Sequence, residues 1–300
     1  MQLNYRRLDV FTDRALTGNP LAVFLDVPEM ATEKMQAIAR EMNLSESVFV
    51  SARSPSNEWP VRIFTPGVEL PFAGHPTIGT AVALLLNGCC ARGARCELAL
   101  LETVGRVPVS VERLSERHAT ATFSVPRLPE FGTANVPNEI LAELLSVEKD
   151  DVLVGLWKPR AISCGVPFYF VGLRSLEAIR KVRVRRDLWE QHLSTHWAPH
   201  LYVITPEVIS EGATVHARMF PPAMGLEEDP ATGGAVAALS GFLVDALKAG
   251  KSVSSWRVEQ GFEMGRPSII DLQVHAENDL VTAIKLTGSA VAVGEGSLTL

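Results

Sequence analysis

Two almost wholly apolar segments, each introduced by a similar preamble, constrain this chain more than any other feature. They are VRIFTPGVELPFAGHPTIGTAVALLL (residues 61–86) and ARMFPPAMGLEEDPATGGAVAALSGF (217–242). Arg62 matches Arg218, Phe64 matches Phe220 and Pro66 matches Pro222, each pair 156 apart by subtraction, and a one-residue slip then aligns Thr77 with Thr232. A helix that is apolar on every face has to be enclosed by other elements, and its Gly, Ala and Thr residues let an enclosing sheet come close. Repetition at this spacing calls for two similar domains; the period of a solenoid is far shorter. A fainter echo pairs GNPLAVF from Gly18 with GRPSIID from Gly265.

Around these helices the chain carries strand signals: LNYRRLDVFT, ESVFVSA, PVRIFTP, RVPVSVERL and HATATFSVP, all rich in β-branched residues. PEMATEKMQAIAREMNL predicts an amphipathic helix with Met35, Ile38, Ala39 and Met42 on its apolar stripe. Pro126 and Pro129 in SVPRLPEF break regular structure, which places the domain boundary near residue 127. Each half is then expected to be a set of strands wrapped around one apolar helix. The two helix N-termini are expected to converge in the cleft between the halves, where their free N–H groups and positive dipole ends suit a small anion such as a carboxylate.

Composition excludes some functions. With 47% hydrophobic and 21% charged residues the balance is that of a globular protein, and a net charge of −6 without a basic run argues against nucleic acid as a partner. The N-terminus lacks an apolar signal core and runs such as AVALLL are too short to span a bilayer, so the expectation is a cytoplasmic protein with no membrane partner. Cys89, Cys90, Cys96 and Cys164 form no C-x-x-C pair and are expected to be reduced, packed thiols.

Candidate chemistry concentrates at three positions. Glu46 lies in NLSESVFV at the start of a strand signal, His75 at the mouth of the first apolar helix, and Asp229 at the mouth of the second. Taken singly, Glu46 has the look of an exposed carboxylate, His75 of a satisfied loop histidine, and Asp229 of a helix cap. Their symmetric placement favours a site. His192, His196 and His200 recur at every fourth residue, but Pro199 interrupts that spacing and no carboxylate or cysteine accompanies them at a recognised ligand spacing, so a solvated segment is expected and no metal. VGEGSL, GHPTIGT and DPATGG lack the full nucleotide-loop patterns. A cofactor-free acid/base reaction suits the remaining set.

The motifs resemble the phenazine-biosynthesis PhzF family, named for trans-2,3-dihydro-3-hydroxyanthranilate isomerase, within the diaminopimelate epimerase-like fold. The resemblance runs through DVFTDRALTGNPLAVF, IAREMNLSESVFV, RIFTPGVELPFAGHPTIGTAVAL, ARMFPPAMGLEEDPATGGA and EQGFEMGRPSII, and is weakest from about residue 128 to 201. It implies an α+β fold of two pseudo-symmetric domains, each a curved, mainly antiparallel sheet around a central apolar helix. The N-terminal domain would be residues 1–126, completed by a C-terminal strand at about 289–300, and the C-terminal domain 127–288.

It also implies a homodimer and a small carboxylic-acid substrate. Glu46 falls on the family's acid/base glutamate, His75 and Asp229 on its substrate-contacting residues, and Gly74, Thr232 and Gly233 on backbone donors to the carboxylate. Related epimerases and racemases place a cysteine at each helix mouth; here those positions are Ala73 and Pro230, which argues against two-thiol epimerisation. The family's usual Thr-Gly-Ser is Thr232-Gly233-Gly234 in this chain. The expected activity is a cofactor-independent isomerisation that moves a proton and a double bond. The alternatives are a non-catalytic acid-binding or protein-interaction role and, less favoured, an amino-acid racemase or epimerase.

Overall fold

The architecture is described from a computed structural model, which describes residues 1–52, 58–89, 95–247, 252–278 and 280–300. The chain divides into two compact units, one of residues 1–126 with 286–300, the other of residues 127–285.

The first unit is built from β1 (Gln2–Val10), β2 (Asn19–Val27), α1 (Thr32–Met42), β3 (Glu46–Ser51), β4 (Glu58–Phe64), the short β5 (Glu69–Leu70), α2 (Gly74–Leu86), β6 (Arg95–Glu102), β7 (Gly105–Arg113) and β8 (His118–Ser124). β1 and β2 pair antiparallel, β2 and β3 parallel, β3 and β4 antiparallel, β4 and β6 parallel, and β6, β7 and β8 antiparallel. Both parallel pairs need a crossover, and α1 and α2 are those crossovers. Residues 286–300 then return beside β8 and pair with β1 from Val10↔Ala290 to Gln2↔Thr299, so the sheet closes on itself.

α2 is enclosed as the sequence requires. Every residue from Gly74 to Leu85 is buried, and the helix packs on β1, β2, β3, β6, β7 and β8. A Cβ at Gly79 would overlap Leu21 and lie 2.9 Å from Val10 Cγ2, so only glycine allows this approach. α1 lies on the opposite face of the sheet: its buried Met35, Ile38 and Ala39 cover Ala22, Phe24, Phe49 and Phe64. Met42 is partly buried at the edge of that cluster.

The second unit repeats this plan. It contains β9 (Glu130–Gly132), α3 (Asn138–Leu145), β10 (Arg160–Ser163), β11 (Pro167–Gly172), α4 (Leu176–Lys181), α5 (Arg186–His192), β12 (His200–Thr205), β13 (Val215–Phe220), α6 (Gly233–Ala246), β14 (Val253–Gln260) and β15 (Ser268–Glu277). The last strand, β16 (Leu280–Thr299), starts beside β15 and supplies the closing strand of the first unit. From β10 to β15 the pairings run antiparallel, parallel, antiparallel, parallel, antiparallel, the same order as β1, β2, β3, β4, β6 and β7. α6, buried almost all round, packs on β10, β11 and β15.

The duplication extends to side chains. Arg62 binds Glu69 through two bonds of 2.7 and 2.6 Å and lies 5.1 Å over Phe64; Arg218 binds Glu228 through two bonds of 2.8 Å and lies 4.8 Å over Phe220. One expectation is corrected. The counterpart of GNPLAVF is GVPFYFV from Gly165, because β11 and not β15 occupies the place of β2; GRPSIID leads into β15, the counterpart of β7.

The cysteine reading is also corrected in part: Cys96 is disulfide-bonded, while Cys164 is a free thiol. Cys90 lies outside the described residues. Among the described residues no helix is long and apolar enough to cross a membrane.

Candidate active site

In the first unit, α1 ends at Asn43 in the left-handed conformation, which asparagine tolerates, and the chain turns directly into β3. Glu46 is the first residue of β3, paired in register with Leu21 of β2. Its Oε2 lies 3.3 Å from Nε2 of His75, the second residue of α2. Burial pushes His75 down to about 3, so the imidazole is neutral at physiological pH. Asn19 Nδ2 lies 3.4 Å from His75 Nδ1. When the asparagine amide donates there, the one imidazole proton sits on Nε2 and faces the Glu46 carboxylate. Sequence reasoning placed Glu46 and His75 separately; the structure brings them together and adds Asn19, which lies in the GNPLAVF motif but was not singled out there.

The mouth of α2 holds a further buried acid. Thr77 Oγ1 lies 2.8 Å from the Ala73 carbonyl and 2.7 Å from Glu102 Oε1, at the end of β6. One hydroxyl carries one proton, so when Thr77 donates to Ala73 the contact with Glu102 needs a proton on the carboxyl. Burial pushes Glu102 up to about 8, in agreement with a neutral acid.

In the second unit, Asp229 is 8% exposed and its N–H bonds the Met219 carbonyl at 2.9 Å. Thr232 Oγ1 donates to Asp229 Oδ2 at 2.5 Å. Gln260, at the end of β14, donates from Nε2 to the Asp229 carbonyl at 2.7 Å and to Thr232 Oγ1 at 3.1 Å, while its Oε1 accepts from Tyr202 Oη at 2.9 Å. Burial raises the Tyr202 phenol well above its ordinary range, with the charge of Asp229 adding to the shift. This network fixes the carboxylate beside Gly233 and Gly234, which open α6. The first N–H groups of α6 have no partner within the helix, and neither have those of Gly74 and His75 in α2.

Ala73 precedes α2 and Pro230 follows Asp229, so neither helix mouth carries a thiol. Cys164 is buried near the β10–β11 turn, where burial pushes its thiol up to about 12 and leaves it a poor nucleophile. The three histidines share no face. His192 ends α5, His196 Nδ1 accepts from Ala198 N at 2.9 Å, and His200 begins β12 and is 7% exposed, so it belongs to no solvated segment. Among the described residues no group of three or more His, Cys, Asp or Glu could hold a metal ion.

Three comparisons with known proteins bear on this arrangement. The family model described as phenazine biosynthesis-like protein matches residues 8–296. An uncharacterized isomerase of Mesorhizobium japonicum is 37% identical, over 98% of each chain. The trans-2,3-dihydro-3-hydroxyanthranilate isomerase of Pseudomonas aeruginosa is 35% identical over 97% of this chain and 98% of its own. Among solved structures, a phenazine biosynthesis protein of the PhzF family from Bacillus anthracis superposes with a TM-score of 0.90 at 25% identity, covering 100% of both chains. A probable proline racemase from Agrobacterium radiobacter, at 12% identity and a TM-score of 0.61, shares the fold across 99% of this chain and 93% of its own.

Proposed function

Since the chain belongs to the phenazine biosynthesis-like family and is an isomerase by that kinship, we propose that it moves a proton, and with it a double bond, within a small unsaturated or cyclic carboxylic acid. The observation that carries the reading is the 3.3 Å approach of Glu46 to a buried, neutral His75.

Glu46 takes a proton from one carbon of the substrate and returns it to another on the same face. A single carboxylate serves both steps because it alternates between base and acid as the proton passes through it. Neutral His75 cannot neutralise the carboxylate by proton transfer, and its Nε2 stands 3.3 Å from the carboxylate oxygen. Backbone N–H groups at the helix mouths bind the substrate carboxylate, and Asp229, held by Thr232 and Gln260, contacts a polar substituent. In this reading the protein works as a homodimer in the cytoplasm. Without a cysteine at either helix mouth, thiol-based epimerisation has no pair of groups to run on.

The test is solvent-deuterium incorporation into a panel of small carboxylic acids. Wild type should exchange at least one acid at a carbon position, and Glu46→Gln should lower that rate by about 10² to 10⁴-fold, the usual share of general acid/base catalysis. Undiminished exchange in Glu46→Gln sinks the assignment.

A further inference from the structure

The duplicated sheet gives Glu46 a twin. In the first unit Leu21 of β2 stands opposite Glu46 of β3; in the second, Phe168 of β11 stands opposite His200 of β12. Both strand pairs are parallel, both are joined by a helical crossover, and both residues open their strand. His200 therefore occupies the rung in the second unit from which Glu46 reaches the mouth of α2 in the first, and by the same pleat it faces the side on which α6 begins. Tyr202, two residues along and so on the same face, confirms this direction, since its hydroxyl ends in the Gln260 network that holds Asp229 and Thr232. Phe168 links the two places: its ring centroid is 6.0 Å from that of His200, and its Cε2 and Cζ lie 3.9 Å from where a Cβ on Gly234 would stand.

The state of His200 is unusual for a structural histidine. It is 7% exposed and its buried Nδ1 has no hydrogen-bond partner among the described residues. An unsatisfied buried polar atom destabilises the fold, so a core position with no further task would favour an apolar side chain. Burial lowers the imidazole to about 4, leaving one nitrogen as donor and one as acceptor at neutral pH.

We propose that His200 is a specificity-determining residue that hydrogen-bonds a hydroxyl or amino substituent of the substrate acid, beside Asp229 at the mouth of α6. This rests on the reading of that mouth as the place where the acid binds. In place of the serine hydroxyl absent at Gly234, the half-site then offers a neutral imidazole. Its discrimination comes from the cost of leaving a buried polar group unpaired when a ligand lacks the matching substituent.

The test is calorimetric titration with two ring acids, 3-hydroxyanthranilate, which carries both substituents, and benzoate, which carries neither. Wild type should bind 3-hydroxyanthranilate the more tightly. His200→Phe should weaken it by about tenfold or more while leaving benzoate within about twofold, with an unchanged or higher Tm because an unsatisfied atom has been removed. In wild type, the ¹⁵N resonances of the His200 ring should move on addition of 3-hydroxyanthranilate and stay in place with benzoate, a readout that holds even where the variant fails to fold. Equal loss for both acids, no loss for either, unmoved ring resonances, or a wild type that binds neither acid overturns the proposal. The measurement reads equilibrium binding: selective loss in a protein that shows no Glu46-dependent exchange sinks the isomerase chemistry and leaves His200 standing.

Discussion

Glu102 and Gln260 stand on the same rung of the two halves, each at the end of the strand that follows the enclosed helix, and each reaches a threonine at that helix's mouth. Glu102 Oε1 is 2.7 Å from Thr77 Oγ1, and Gln260 Nε2 is 3.1 Å from Thr232 Oγ1. The register fixes the equivalence: Trp59 pairs with Leu100 as Val215 pairs with Val258, two residues before Glu102 and Gln260. A protonated carboxyl and a primary amide have nearly the same shape and both donate one hydrogen bond to a hydroxyl.

Glu102→Gln should therefore fold and keep its activity. The wild-type carboxyl is raised to about 8, so its contribution is fully present below the unfolded-state pKa near 4.5 and is lost as pH rises towards about 8. Urea unfolding should show wild-type stability falling across that window, by up to about 1.4 kcal/mol per pH unit, and a flatter profile in Glu102→Gln. Parallel profiles would show that Glu102 is ionised in the folded protein.

His216 lies between two carboxylates, with Nδ1 2.8 Å from Glu259 and Nε2 3.1 Å from Glu263. Burial by itself lowers the imidazole, but the hydrogen bonds to Glu259 and Glu263 turn the net shift upward. Its stabilisation is complete below the ordinary histidine value of 6.5 and disappears as pH rises through the higher folded-state value. His216→Ala leaves the buried Glu259 without its cation and should cost about 3–5 kcal/mol at pH 6, measured by chemical denaturation. A loss below about 1 kcal/mol would mean that the cluster carries no protonated histidine.

The twin arginine pairs differ in depth. The side chains of Arg218 and Glu228 are 5% and 14% exposed, against 33% and 27% for Arg62 and Glu69. Removing the arginine strands a carboxylate in both cases, and Glu228 is the less exposed of the two. Arg218→Ala should cost about 3 kcal/mol or more and Arg62→Ala about 1 kcal/mol. Equal losses in thermal or urea unfolding would contradict this ordering.

Gly79 and Gly234 follow Thr77 and Thr232 by two residues each, yet only one is a packing requirement. A Cβ at Gly79 would overlap Leu21, whereas at Gly234 the nearest atoms are at 3.9 Å in Phe168. Gly79→Ser should destabilise by about 1–3 kcal/mol, and Gly234→Ser should leave the Tm nearly unchanged. If the missing hydroxyl tunes specificity, Gly234→Ser should also raise kcat/KM for trans-2,3-dihydro-3-hydroxyanthranilate, which wild type should turn over poorly. Wild-type turnover of about 10⁴ M⁻¹s⁻¹ or above on that acid would show that the glycine marks no change of substrate.

The sequence by itself determined what depends on local composition and periodicity. Two segments apolar on every face demanded two enclosing sheets, the Arg-x-Phe-x-Pro preamble disclosed the duplication, and the motifs around Glu46, His75 and Asp229 identified the family. Tertiary structure decided what depends on strand register across helical crossovers, which no local pattern encodes. It set Glu46 against His75 across 28 intervening residues, made Glu102 the twin of Gln260, and moved the counterpart of GNPLAVF from Gly265 to Gly165. It also buried His200, which spacing alone had assigned to a solvated segment. A polar side chain announces its burial only through the neighbours that surround it, and those neighbours are chosen by the fold.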